Sequence, residues 1–218
     1  MTETPSSESV PWQPAAFPAD PAAARQLREW LDDTSYALHG VGHDFRGADL
    51  TNGEFPGAWL IDAVLTGVKL ANVCLYRADL TGADLTGANL VDADLVRAKL
   101  DRAVLRSARL DGADMVKASL HDVDASGASL RGTRIMGASL YDVDLRGADL
   151  TDAVLFHNTF RVTMDDTTLV RGLTGTVLGP VTVVSGEGSR DVSGADLEAW
   201  ISARGGEVQV IPPQRRVQ

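Results

Sequence analysis

The sequence predicts an all-β solenoid for its central part, and three observations carry that prediction. Every position divisible by five from Phe45 to Phe160 is apolar, an unbroken run of twenty-four that is mostly Leu. Two residues before most of these positions stands a small residue, with Ala48, Ala58, Ala63, Ala78 and Ala83 among them. The remaining three positions of each pentad are mostly polar, charged or Gly. A period of five matches neither the 3.6 of an α-helix nor the 2.0 of a strand. It requires a chain that turns a corner every five residues, with one large and one small side chain pointing inward on each side. The composition agrees: 44% hydrophobic but only 6% aromatic means an aliphatic core.

The elements follow in chain order. Residues 1–18 are rich in Ser, Pro and Glu, the composition of a disordered tail. Residues 19–40 hold a capping helix: Asp20 at the N-cap and Pro21 at the first helical position start it, and Leu27, Trp30 and Leu31 give it one apolar face. Residues 41–165 are the repeat region. Residues 166–218 lose the register and read as strand, helix and strand, serving as a cap or a dimerisation segment. In that segment Thr174–Val184 is broken at Gly179-Pro180. Ser193 opens a helix with Asp196 three residues on, close to a capping box, and Val208 to Ile211 gives a last strand.

Within the repeat, Ala78-Asp79-Leu80-Thr81-Gly82, Ala83-Asp84-Leu85-Thr86-Gly87 and Ala88-Asn89-Leu90 resemble the A-[DN]-L-x-x signature of pentapeptide-repeat proteins. The resemblance implies a right-handed quadrilateral β-helix with four pentads per coil, hence six coils from twenty-four pentads. At about 4.8 Å between paired strands the rod is roughly 28 Å long. Burying each Leu contributes roughly 1.5–3 kcal/mol, and stability comes from stacking, since one coil cannot bury its own apolar side. Ala125 is the weak rung, with Val123 beside it restoring part of the missing volume.

No P-loop, dinucleotide fingerprint, nucleophile elbow or paired metal ligands occur, and His39, His43, His121 and His157 lack metal-ligand spacing. Twenty-residue stacking puts Asp101, His121 and Tyr141 in one outward column, a polar ladder on a flat wall rather than a catalytic pocket. The expectation is a protein without catalytic residues, metal or cofactor. The net charge of −10 argues against direct nucleic-acid binding. One cysteine, Cys74, fits a reducing compartment. With no signal-peptide pattern and no long apolar run, the expected location is the cytoplasm, without membrane association.

The surface then has to supply function. Two walls carry most of the acid: Asp49, Asp92, Asp111 and Asp149 on the Leu50 side, and Asp62, Asp79, Asp101, Asp122 and Asp142 on the Leu60 side. Lys69, Lys99, Arg102, Arg106 and Arg109 interrupt this field near mid-rod. The wall of Phe55 to Leu155 differs. Tyr76, Val96, Val116, Met136 and Phe156 form an apolar stripe along it, with Arg77, Arg97 and Lys117 alongside. Such a stripe reads as a partner surface, as a docking site for the C-terminal segment, or as the ordinary strand preference of these residues. Leu197, Trp200 and Ile201 are the candidate cap or dimer contact.

The resemblance implies action by protein–protein interaction, the best specific partner being a type II topoisomerase (DNA gyrase or topoisomerase IV). The acidic rod would bind it as a mimic of duplex DNA and protect against an antibiotic. A rod of roughly 28 Å covers only about 8 base pairs, so the mimic reading favours a homodimer. The alternative is an adaptor that binds another protein through its apolar wall.

Overall fold

The computed structural model describes residues 12–211, and the central residues coil in twenty-residue steps. Parallel bridges join one residue of each pentad, the one just before the plug, to the residue twenty later, from His39↔Trp59 and Asp44↔Val64 through to Asp149↔Leu169. The turn chemistry explains why five residues suffice for one side. At each corner the plug carbonyl accepts from the amide three residues on, as in Gly53 N to Leu50 O (3.0 Å) and Ala98 N to Leu95 O (3.0 Å). The third turn residue is left-handed, for example Asn52 at φ 59° and Arg97 at φ 60°, which is the geometry of a type II turn. Between corners, amides and carbonyls bond to neighbouring coils, as in Leu50 N to Lys69 O (2.8 Å) and Lys69 N to Ala48 O (3.3 Å).

All inward plugs are buried, including Ala125 and its neighbour Val123. Leu and Ala alternate along each side because the large residue fills the coil's centre and the small one lets the corner close. Among the described residues no buried side-chain nitrogen or oxygen lacks a hydrogen-bond partner.

The N-terminal end is closed by α1 (Pro21–Asp32). The Asp20 carboxylate accepts from Ala23 N at 2.8 Å, and Leu27 and Trp30 are buried. The expected disordered tail of residues 1–18 is corrected in part. Residues 1–11 lie outside the described residues, but 12–18 lie against the first coil. Ala16 pairs antiparallel with Asp49, and the Trp12 indole donates to Thr51 O (3.0 Å) while its ring stands edge-on to Phe55 (5.3 Å). The edge of the first coil offers unpaired backbone groups, and apolar Trp12 and Phe17 outweigh the polar composition on which the disorder expectation rested.

Regular strands appear toward the other end. They are β1 (Ser119–His121), β2 (Arg134–Met136), β3 (Ser139–Asp144), β4 (Val154–Asp165), β5 (Thr174–Leu178), β6 (Val181–Ser185) and β7 (Gly188–Val192). After them come α2 (Gly194–Ser202) and β8 (Glu207–Val210). The coil does not stop near 165, where the pentad register suggests. Parallel stacking continues from β4 to β5 to β8, with Val154↔Thr174 and Thr174↔Glu207. Backbone stacking survives the loss of the five-residue pattern because Val162, Met164, Val170 and Leu173 still point inward. A one-residue register shift between Tyr141 and Val143 marks the change. Ser193 occupies the N-cap of α2, but its hydroxyl makes no capping bond.

Candidate protein-interaction surface

Most carboxylates of the two acidic walls serve the coil itself. An Asp or Asn just before the plug accepts the amide two residues on and so braces the corner. Examples are Asp79 to Thr81 N (3.2 Å), Asp149 to Thr151 N (2.9 Å) and Asp49 to Thr51 N (3.3 Å). The same carboxylates hold cations from adjacent coils: Lys69 on Asp49 (3.0 Å), Lys99 on Asp79 (3.1 Å) and Arg131 on Asp149 (3.0 Å). Asp111 meets Arg109 at 3.7 Å and accepts from Ser129, and Asp142 meets Arg161 at 2.9 Å.

These contacts set the titration. Hydrogen bonds from Thr51 and Lys69 hold the Asp49 carboxyl below the usual aspartate range. For Asp79 and Asp149, burial pushes the carboxyl up, but hydrogen bonds from Thr81 and Lys99, or from Thr151 and Arg131, outweigh it and the net shift is downward. The acidic character of the repeat is therefore partly a by-product of building corners. Sequence reasoning missed this role, though the recurrence of Asp or Asn at one position of the pentad was its signal.

Asp62, Asp92, Asp101 and Asp122 carry no ion pair among the described residues. Asp62, Asp92 and Asp122 occupy the left-handed turn position (φ 54°, 56° and 56°), which Asp tolerates better than most residues. Gly82 and Gly112 stand one coil above Asp62 and Asp92, where a Cβ would strike the carboxylate. Asp101 accepts from Ser119 Oγ (2.6 Å) and His121 N (2.9 Å). It therefore meets the backbone of His121, not its ring, whose Nε2 lies 2.7 Å from Ser139 Oγ. Tyr141 stacks beyond it with Arg161 over its ring at 4.9 Å. This is a ladder on an open wall without the carboxylate–imidazole contact that a general base needs.

The apolar stripe is continuous. Met136 stacks under Phe156 in the β2–β4 register, Tyr76, Val96, Val116 and Met136 are half-buried, and Phe156 is 38% exposed. The C-terminal segment stacks on the end of the rod through β4, β5 and β8. A cavity of about 670 Å³, lined by Trp12, Trp30, Leu31, Tyr36 and Pro56 among others, opens at the N-terminal end of the same wall. Along one edge of the stripe, Asp94 and Asp114 brace the corners of Val96 and Val116 (2.9 and 3.1 Å). Along the other edge stand Arg77, Arg97 and Lys117. Cys74, at the same wall, has its thiol pushed up by burial, so it is not primed as a nucleophile.

Leu197, Trp200 and Ile201 are core residues of the C-terminal end, with exposures of 0%, 7% and 0%. Arg204 lies over the Trp200 ring at 3.9 Å, and Glu198 accepts from Val210 N (2.7 Å) to tie α2 to β8. As dimer contacts these three are corrected: their apolar surface is already spent within the chain. Trp59, 51% exposed and stacked on His39 at 4.6 Å, is a surface aromatic that sequence reasoning missed. Its signal was a Trp at a position that most other pentads fill with a polar or charged residue. Among the described residues no cluster of His, Cys, Asp and Glu could hold a metal ion, and no helix is long and apolar enough to cross a membrane.

No curated protein matches the chain. Solved structures similar to it include HetL, a pentapeptide repeat protein involved in heterocyst differentiation regulation in the cyanobacterium Nostoc sp. strain PCC 7120. It is 21% identical, covering 70% of this chain and 84% of that one, with a TM-score of 0.26. Full-length QnrB1, a plasmid-mediated fluoroquinolone resistance protein, is 16% identical over 82% and 92% of the two chains, with a TM-score of 0.31. The pentapeptide repeat protein alr5209 from Nostoc PCC 7120 is 32% identical over 52% and 70%, with a TM-score of 0.22. Such low scores leave the assignment resting on the repeat itself. A model of pentapeptide repeats, in eight copies, matches residues 44–82, 78–115 and 113–152. Those residues are the ones that coil in steps of twenty with Leu and Ala inward, and this chain belongs to the pentapeptide-repeat family.

Proposed function

We propose that this chain is a non-catalytic scaffold that binds another protein through the wall of Tyr76, Val96, Val116, Met136 and Phe156. The observation that carries the reading is the contrast between walls. On the Leu50 and Leu60 sides, Asp49, Asp79, Asp111, Asp142 and Asp149 are engaged in ion pairs. The Phe55 side keeps a continuous, partly exposed apolar stripe, and contiguous exposed apolar surface marks interaction sites. A single free cysteine fits the reducing cytoplasm expected from the sequence.

Site-specific photocrosslinking in host lysate tests this. A photoreactive side chain at Val96 or Met136 is expected to trap a partner protein that the same group at Asp62 or Asp92 does not. Adducts only from the acidic positions would overturn the reading.

A second reading, mimicry of DNA toward a type II topoisomerase such as gyrase, is supported by the unpaired carboxylates of Asp62, Asp101 and Asp122 on the Leu60 side. It expects inhibition of gyrase supercoiling or protection from a quinolone. Either effect would be lost on changing those three residues to Asn and would weaken with salt, since the Debye length is about 8 Å at physiological ionic strength. No effect at micromolar protein would dispose of it for that enzyme. A dimer, if it forms, uses surface other than Leu197, Trp200 and Ile201.

A further inference from the structure

The column beside the apolar stripe stacks like charges at the corner position that favours Gly. Arg77, Arg97 and Lys117 occupy the left-handed turn position at φ 58°, 60° and 58°, while Gly57 and Gly137 fill the same place in neighbouring coils. That conformation favours Gly, and after it Asn or Asp; a long cationic side chain gains nothing there. The three also stack in successive coils, about 4.8 Å apart at the backbone, so their charges repel.

No ion pair relieves them among the described residues. Elsewhere on the rod Lys69, Lys99, Arg106, Arg109, Arg131 and Arg134 each meet a carboxylate within 4 Å, and Arg102, single in its own column, is the exception. Arg77 has only the face of Tyr76, at 5.3 Å from the ring centroid. What sets the column apart is three unpaired cations in successive coils along one edge of a half-exposed apolar stripe.

Resting on the apolar wall as the binding face, we propose that its occupant is an amphipathic α-helix of a partner protein. Its apolar side lies along Tyr76 to Met136, and Asp or Glu on one flank faces Arg77, Arg97 and Lys117. The repeat distances select a helix. Its turns recur about every 5.4 Å, close to the coil spacing of about 4.8 Å. Same-face residues of an extended strand recur about every 6.8 Å, out of step by the second coil. Flexible Arg and Lys side chains absorb the small mismatch of the helix.

The charge pattern sets its orientation. Acid on the opposite flank would meet Asp94 and Asp114, so the helix carries its carboxylates on one side only. A nucleic acid fits poorly, because three cations on a chain of net charge −10 leave a long polyanion over acidic surface.

The test uses the full chain and a displayed library of helical peptides about fourteen residues long, with randomised surface positions. Selected helices are expected to carry Asp or Glu on one flank of an apolar face. They are expected to bind the triple variant Arg77→Gly, Arg97→Gly, Lys117→Gly roughly tenfold or more weakly, with binding that declines as salt rises. Gly suits φ near 60°, so that variant retains or gains thermal stability, which separates binding from folding.

If helices without acidic residues are selected, if none is selected, or if the triple variant binds equally well, the inference is overturned. The apolar wall is judged apart, by Val96→Thr with Val116→Thr. Binding lost there but kept in the Gly variant leaves the wall standing and the cation column without a role. Displacement of a selected helix by a DNA duplex or by anionic lipid vesicles would assign the column to a polyanion instead.

Discussion

Asn158 stands where most other pentads carry Ala, and among the described residues it is the one buried amide side chain. Its Oδ1 accepts from Ala138 N at 2.9 Å, and its Nδ2 donates to Ile135 O at 2.5 Å. It thereby satisfies two backbone groups of the coil below, next to the β4–β5 register shift between Leu155 and Asn158. Changing Asn158 to Leu keeps a side chain of similar size but orphans a buried N–H and a buried C=O. Each costs about 1–3 kcal/mol, so the expected loss is roughly 2–4 kcal/mol, after discounting for local rearrangement. Asn158→Ala removes volume as well and is expected to be at least as damaging.

Denaturant unfolding gives the size of the effect. Hydrogen exchange places it, with the Ala138 amide losing protection first while amides near Leu60 keep theirs, because solenoid stability is nearly a sum of neighbour terms. A Leu variant unfolding at the wild-type denaturant midpoint, with Ala138 still protected, would refute the reasoning.

Other expectations follow from the same geometry. Leu85, fully buried, does not tolerate Leu85→Asp: an unpaired carboxylate in the coil centre costs several kcal/mol, and a melting temperature within a degree or two of wild type would contradict the inward assignment. Gly82→Ala places a Cβ at φ 71° against the Asp62 carboxylate, so thermal melts are expected to show a loss of about 1 kcal/mol or more, largely restored by Asp62→Gly in the same chain. The Asp49, Asp79 and Asp149 carboxyls titrate below their unfolded value near 3.9. Their contribution is therefore complete above that pH and is lost as pH falls through the folded values. Melting temperature is expected to stay level from about pH 7 to 5 and to drop below about pH 4; a drop already complete by pH 5 would show that other groups govern acid stability.

The period of five by itself determined the fold. Only a chain that corners every five residues can put Leu50, Phe55 and Leu60 all inside, and the small residue two positions before the plug fits no other geometry. The twenty-residue columns, and with them the apolar stripe and its flanking cations, followed from the four pentads per coil that the family resemblance implies. The termini were less so, since polar composition at 12–18 hid the fit of Trp12 against Phe55, and the lost pentad after Phe160 hid continued backbone stacking.

What only the tertiary structure decided was which charges are spoken for. Asp49 and Asp62 were both read from the sequence as parts of one acidic surface. One braces a corner and holds Lys69, while the other sits in a left-handed turn and makes no ion pair among the described residues. Likewise Trp200 and Ile201 read as a contact face until α2 is seen to press them into the chain's own end. The physical reason is the same in both cases. Backbone period follows from local turn chemistry and plug size, but ion pairing and burial depend on where side chains eighteen or more residues apart come to rest against one another.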